Sequence, residues 1–315
     1  MNYEQKFGEI YEDYSKFFII PIAMLMFSFI VLGANSALTG EFIQKGTDFT
    51  GGSEIQIAVD GEINPQQIEQ AFLDSERVQI SEANVVIEQT TERNFALVRI
   101  PPEADGEVFD NEDVAEEILT DAGIEGTVES LQAISATVSD EFFEQAMLAF
   151  VLGFTIMSIV IFIAFKDVTP SVAVIFAAGG DILFAVAGMI ILDIPLTLGS
   201  LAALLMLIGY SVDTDIVLSS RTLKQKRGSL QSRMWKSVKT GLTMSSGGIA
   251  AFALLYIVST MMVGQSELSN IAAVMVIGLL ADMPFTWFGN TIILKKYINN
   301  NLPLMDKVNK VMPWN

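Results

Sequence analysis

The sequence contains no cysteine and no histidine, and it sets only 18 lysines and arginines against 37 aspartates and glutamates. Without those two residue types there is no disulfide, no thiol nucleophile, no Cys/His zinc site, no c-type haem attachment and no histidine-based triad or proton shuttle. The net charge of −19 opposes nucleic-acid binding, which needs clustered Lys and Arg. What chemistry remains must run on carboxylates, hydroxyls and lysines. Charged residues are scarce overall, at 17% against 51% hydrophobic, which is not the balance of an ordinary soluble domain.

Six apolar runs are long enough to cross a bilayer as helices, which takes ~20 residues. They cover Phe17–Leu38, Ala146–Phe165, Pro170–Leu192, Thr197–Ser219, Gly241–Val263 and Leu268–Leu294. The first exceeds the ~7–15 apolar residues of a signal peptide and reads as an uncleaved anchor. Between the fourth and fifth runs lie Arg221, Lys224, Lys226, Arg227, Arg233, Lys236 and Lys239 with no acid among them. The positive-inside rule makes that stretch, residues 220–240, a cytoplasmic loop. Both termini, 1–16 and 295–315, then fall on the cytoplasmic side, and residues 39–145 lie wholly outside. That outer segment holds 25 of the acids and only Lys45, Arg77, Arg93 and Arg99, a charge of 4 − 25 = −21. Such crowding of carboxylates suggests a salt-requiring, halophilic protein.

Within 39–145 the periodicity switches between 2 and 3.6. Ile55, Ile57 and Val59 alternate as in a strand, Asn64-Pro65 opens a helix, strands follow over Asn84–Thr90 and Asn94–Ile100, a helix over Glu112–Asp121 and a strand over Thr127–Ile134. The order βαββαβ is that of the ferredoxin-like split motif. The expected fold is therefore an α-helical membrane protein, six spans with an external α+β ferredoxin-like domain inserted between the first span and the five-helix bundle of 146–294.

Asp48-Phe49-Thr50-Gly51-Gly52 stands just before the first outer strand. Paired glycines permit a sharp turn or a close backbone approach, and no helix follows to make a phosphate cradle, so a structural joint is expected. Four aspartates, Asp181, Asp213, Asp215 and Asp282, fall inside apolar runs with no Lys, Arg or His at those depths. Each needs a partner, water or a proton. Single acids can serve merely as interhelical hydrogen-bonding groups, but four in one bundle point to a polar pathway. Asp213 and Asp215 are two residues apart, hence ~200° around a helix. Asp213 shares a face with Gly209 and Tyr210, while Ser211, Asp215 and Ser219 form an i, i+4 stripe, so the fourth span should be surrounded by protein on two sides. That calls for a second membrane subunit. Lys236 and Lys239 could snorkel from the start of the fifth span towards an acid.

In order along the chain, one span, Asp48-Phe49-Thr50-Gly51-Gly52, an external lobe, Val138-Ser139-Asp140-Glu141 and five spans resemble the SecF-type subunits of the SecD–SecF protein-export family, relatives of the resistance-nodulation-division (RND) transporters. The most specific stretch is Ile208-Gly209-Tyr210-Ser211-Val212-Asp213-Thr214-Asp215 followed by Arg221. Asp181 falls where bacterial members carry the Asp of a His-Asp pair, here preceded by Gly180. Lys236-Ser237-Val238 stands where they carry Arg-Ser-Ile or Arg-Ser-Val. Those members read Asn-Asp-Thr where this chain reads Asp213-Thr214-Asp215, so either acid could substitute. Ala281-Asp282-Met283-Pro284 and Thr286-Trp287 look like the archaeal branch.

The resemblance implies a multi-pass cell-membrane subunit that pairs with a SecD-like subunit into a bundle of two six-span halves and docks near the SecY channel. The lobe would handle the translocating polypeptide, and the intramembrane acids would couple a proton or cation gradient to its movement. Membrane lipid is an expected partner and nucleic acid is not. No enzyme activity, catalytic residue, metal or cofactor is expected. The rivals are a stand-alone RND-type exporter of lipids or small molecules, which needs a second lobe and twelve spans, and an intramembrane aspartyl protease, which needs two facing aspartates sharing a water.

Overall fold

The computed structural model describes residues 13–59, 64–75, 80, 82–89, 94–103, 108–224, 228–264 and 266–299. The expected termini 1–12 and 300–315, and Arg77, Arg93, Lys226 and Arg227, lie outside these described residues.

A 3-10 turn at Tyr14–Phe18 leads into α1 (Ile19–Thr39). The lobe follows as β1 (Gly52–Val59), α2 (Pro65–Leu73), β2 (Asn84–Gln89), β3 (Asn94–Ile100), α3 (Glu112–Asp121) and β4 (Gly126–Ile134). Both lobe helices start at an asparagine whose side chain accepts a backbone N–H of the first turn, Asn64 from Gln66 and Asn111 from Val114. The sheet order is β2-β3-β1-β4 with antiparallel neighbours throughout, which is the ferredoxin-like arrangement. Ile55 and Ile57 on β1 sit opposite Val98 and Ala96 on β3. These four residues meet Ile68 and Phe72 of α2 and Ile118 and Leu119 of α3 in one core. The alternation of the strand and the stripe of the helix thus close on each other.

The remaining chain forms α4 (Ala136–Phe165), α5 (Val168–Ile191), α6 (Leu198–Lys224), α7 (Leu230–Val263) and α8 (Glu267–Pro284), then a π-helical turn at Phe285–Asn290 and α9 (Thr291–Ile298). Among the described residues six helices are long and apolar enough to cross a membrane, the last being α8, the π turn and α9 together. α5, α6 and α8 make the buried centre, and α1, α4 and α7 present mostly outward-facing surfaces. Small residues let the central helices touch. A Cβ on Gly278 of α8 would stand 2.2 Å from Leu207 Cδ2 of α6, closer than any real contact.

Two expected boundaries move. α4 begins ten residues before the apolar run, so the lobe's last strand passes through Ser135 straight into helix and 136–145 belongs to the bundle. The expected loop 220–240 is mostly helix, because α6 continues to Lys224 and α7 starts at Leu230. Arginines staple this hairpin. Arg221 of α6 donates to Thr240 Oγ1 at 2.7 Å and to the Lys236 carbonyl at 3.2 Å, and Arg233 of α7 donates to the Thr222 carbonyl at 2.7 Å.

Candidate functional site: buried carboxyls of the membrane bundle

Three of the four intramembrane aspartates converge from three helices. Asp181 of α5, Asp215 of α6 and Asp282 of α8 are fully buried, while Asp213 is exposed on the far side of α6. The ~200° between Asp213 and Asp215 is what separates them.

Hydroxyls and one amide join the buried acids. Ser211 of α6 donates to Asp181 Oδ2 and also lies beside Asp282. Ser245 of α7 donates to Asp282 Oδ2 at 3.1 Å. Thr286 Oγ1 lies 2.9 Å from Asp215 Oδ1 and 3.1 Å from Asp282 Oδ1, and Asn290 Nδ2 lies 2.8 Å from Asp215 Oδ1. Thr286 and Asn290 sit on the π-helical turn. Pro284, which has no N–H to give, lies just ahead of it, so the interrupted ladder widens there and turns both side chains towards α6. Asp181 Oδ1, Asp215 Oδ2 and Asn290 Oδ1 remain buried without a hydrogen-bond partner among the described residues, leaving the network short of donors.

Ser245 and Asn290 were not singled out in the sequence and Thr286 was noted only as part of a family motif, although Asp282, Thr286 and Asn290 recur at four-residue spacing around Pro284. The stripe Ser211, Asp215, Ser219 divides: Ser211 turns to Asp181, Asp215 turns to the π-helical turn, and Ser219 Oγ is buried without a partner among the described residues. Lys236 is exposed and the structure does not bring it to the acids. Gly180 touches the site from behind, because a Cβ there would stand 2.3 Å from the Phe285 ring.

Asp213 shares its outward face with Met206, Gly209 and Tyr210, and Thr243, Ser246 and Gly247 are exposed on neighbouring α7. Among the described residues nothing stands within 4 Å of a Cβ placed on Gly209 or Gly247.

The joint Asp48-Phe49-Thr50-Gly51-Gly52 is anchored at the other end of α6. Asp48 is buried, and its Oδ2 accepts the backbone N–H of Leu198, the first residue of α6, at 2.8 Å. Phe49 packs edge-on against Phe143 of α4, with ring centroids 5.4 Å apart. Gly51 and Gly52 have φ of 75° and 108°. Cβ atoms there would stand 2.9 Å from Ala136 Cα and 2.4 Å from the Ile100 carbonyl oxygen, so both positions require glycine.

Residues 114–300 match the family described as "Protein export membrane protein SecD/SecF, C-terminal". The chain belongs to the SecD/SecF family. It is similar to protein-export membrane proteins SecF of three archaea. Identity is 46% over 173 residues with the Methanothermobacter thermautotrophicus protein, covering 55% of this chain and 60% of that one. It is 33% with that of Pyrococcus furiosus, covering 91% and 92%, and 35% with that of Haloferax volcanii, covering 88% and 90%. Among solved structures, SecDF from Thermus, a translocon-associated membrane protein, matches with a TM-score of 0.68 at 19% identity over 95% of this chain. This chain spans 39% of that longer SecDF chain, and the likeness establishes the SecD/SecF fold for the six spans and the lobe together.

Proposed function

We propose that this chain is an accessory subunit of the Sec protein-export machinery, the six-span half of a SecD–SecF pair that works beside the SecY channel and uses an ion gradient to help polypeptides across. The observation that carries the reading is the buried set Asp181, Asp215 and Asp282, joined through Ser211 and Thr286 across α5, α6 and α8. Thr286 has one hydroxyl proton and lies within hydrogen-bond reach of two carboxyls. It can donate to only one of them, so the other must itself donate to the Thr286 oxygen. A proton can therefore pass between Asp215 and Asp282 as one hydroxyl rotates. The same oxygens would also accept a monovalent cation.

Exposed Asp213, with the bare small residues beside it on α6 and α7, fits a SecD-like subunit packing there, since a carboxyl facing lipid is expensive. One lobe and six spans suit a half-bundle. Asp181 Oδ1 and Asp215 Oδ2 have no donor among the described residues, so a bound proton or cation would complete them. Arg221, Arg233, Lys236 and Lys239 at the α6–α7 turn orient that end to the cytoplasm, both termini with it and the lobe outside, facing the emerging polypeptide.

Export of a secreted reporter in cells carrying Asp181→Asn plus Asp215→Asn tests this. Asn keeps volume and hydrogen bonding but cannot hold an exchangeable proton, so export should fall while assembly with the partner persists. Wild-type export at normal expression would overturn the coupling. Repeating the assay with the proton gradient or the sodium gradient collapsed separately identifies the ion.

A further inference from the structure

The link between lobe and membrane acids can be traced atom by atom at the outer end of α6. The segment before Asp48 pairs with the segment before α6: Gly46 donates its backbone N–H to the Leu196 carbonyl at 2.8 Å, and Leu196 donates to the Gln44 carbonyl at 2.8 Å. Asp48 then spans the gap between the two bodies. Its Oδ2 takes the N–H of Leu198, and its Oδ1 takes the side-chain amide of Gln132 on β4 at 3.1 Å. Four residues later, at Gly52, the chain becomes β1, which pairs with β4 and β3 in the middle of the sheet.

A carboxylate at a helix N-terminus meets an unsatisfied N–H and the positive end of the helix dipole, so the Asp48–Leu198 contact is a firm one. Thr197 and Ser200 reinforce the same turn, the Ser200 N–H donating to Thr197 Oγ1 at 3.0 Å and the Thr197 N–H to Ser200 Oγ at 2.8 Å. Thr197 Oγ1 also lies 3.0 Å from Glu267 Oε2, at the start of α8. From Leu198, α6 runs unbroken for ~25 Å to Asp215 at 1.5 Å per residue. One unbroken helix thus carries a carboxyl of the buried network in its body and a lobe-held carboxylate at its outer end.

We propose that Asp48 is a positioning residue that couples the lobe to the buried carboxyls, transmitting a shift of α6 into a tilt of the lobe through Gln132. The inference rests on the ion-coupling reading above and assigns the side chains that carry its output. It also explains why an acid precedes the paired glycines: the glycines let the strand leave at the required angle, and the acid ties that departure to α6.

The chain has no cysteine of its own, so labels can be placed at will. In the full chain reconstituted in lipid, spin labels at Glu116→Cys on α3 and Met262→Cys at the lobe end of α7, both exposed, report the distance between lobe and bundle. Asp215→Asn, which fixes one state of the network, should shift that distance distribution. Adding Gln132→Leu, an exposed position whose loss spares the Asp48–Leu198 contact, should abolish the shift, and so should Asp48→Ala, which removes both acceptors. A purely stabilising Asp48 would lower the unfolding temperature and leave the shift intact in Gln132→Leu, which overturns the proposal. Absence of any shift with Asp215→Asn, in a protein whose export that substitution abolishes, also overturns it while leaving ion coupling standing.

Discussion

Asn290 gives its side-chain amide to Asp215 Oδ1 at 2.8 Å across 75 positions of sequence. Removing a donor from a buried carboxyl costs more than removing the pair, because the carboxyl left behind keeps its desolvation penalty. Asn290→Leu should therefore lower stability by ~1–3 kcal/mol, and Asp215→Leu added to it should recover part of that loss. Unfolding of the purified chain in detergent, followed by tryptophan fluorescence, measures both. Equal losses that simply add would show that the two side chains do not act as a pair.

Asp213 makes the opposite prediction. It is exposed on α6, and among the described residues no side-chain hydrogen bond holds it. Asp213→Leu should change the stability of the isolated chain by less than ~0.5 kcal/mol, as substitutions away from structural features do. Co-purification with a SecD-like subunit is the quantity it should reduce. Unchanged recovery of the pair would place the partner elsewhere.

Gly180 faces the Phe285 ring with no room for a methyl group. Gly180→Ala should cost ~1–3 kcal/mol through overpacking, and Phe285→Leu on that background should restore part of it. Thermal midpoints of the four variants in the cycle give the coupling.

The lobe's charge predicts a dependence on salt. Repulsion between carboxylates reaches ~30 Å at 0.01 M salt and ~3 Å at 1 M. Amide exchange in α2 and α3 of the full chain should slow in molar KCl relative to low salt, with α5 and α8 unaffected. Identical protection at both extremes would mean that the fold tolerates its charge without screening.

Periodicity and capping made the lobe legible. Asn64-Pro65 marks the start of α2 through a local hydrogen bond, and the two-residue alternation of Ile55, Ile57 and Val59 in β1 survives because the helices cover that face of the sheet. Apolar runs located the middles of the spans and missed two beginnings. Ala136–Gln145 and Leu230–Thr240 are helical yet polar enough to lie outside a hydrocarbon core, so hydropathy cannot see them. The acids of the site declare themselves, since a carboxyl in an apolar run is costly. Their partners do not, because a serine, threonine or asparagine in a span costs little and the π-helical turn that aims Thr286 and Asn290 has no pattern of its own.

The distance in sequence between Asp215 and its partners sets an order on biosynthesis. Thr286 and Asn290 are made 71 and 75 residues after Asp215, in the final span. While α6 and α7 enter the bilayer as a stapled hairpin, Asp215 has neither of its donors. Only when the final span is in place do they arrive. A nascent chain interrupted before Thr286 would hold its most demanding carboxyl unsatisfied in lipid, so completion of the last helix is also what makes the preceding spans safe to keep.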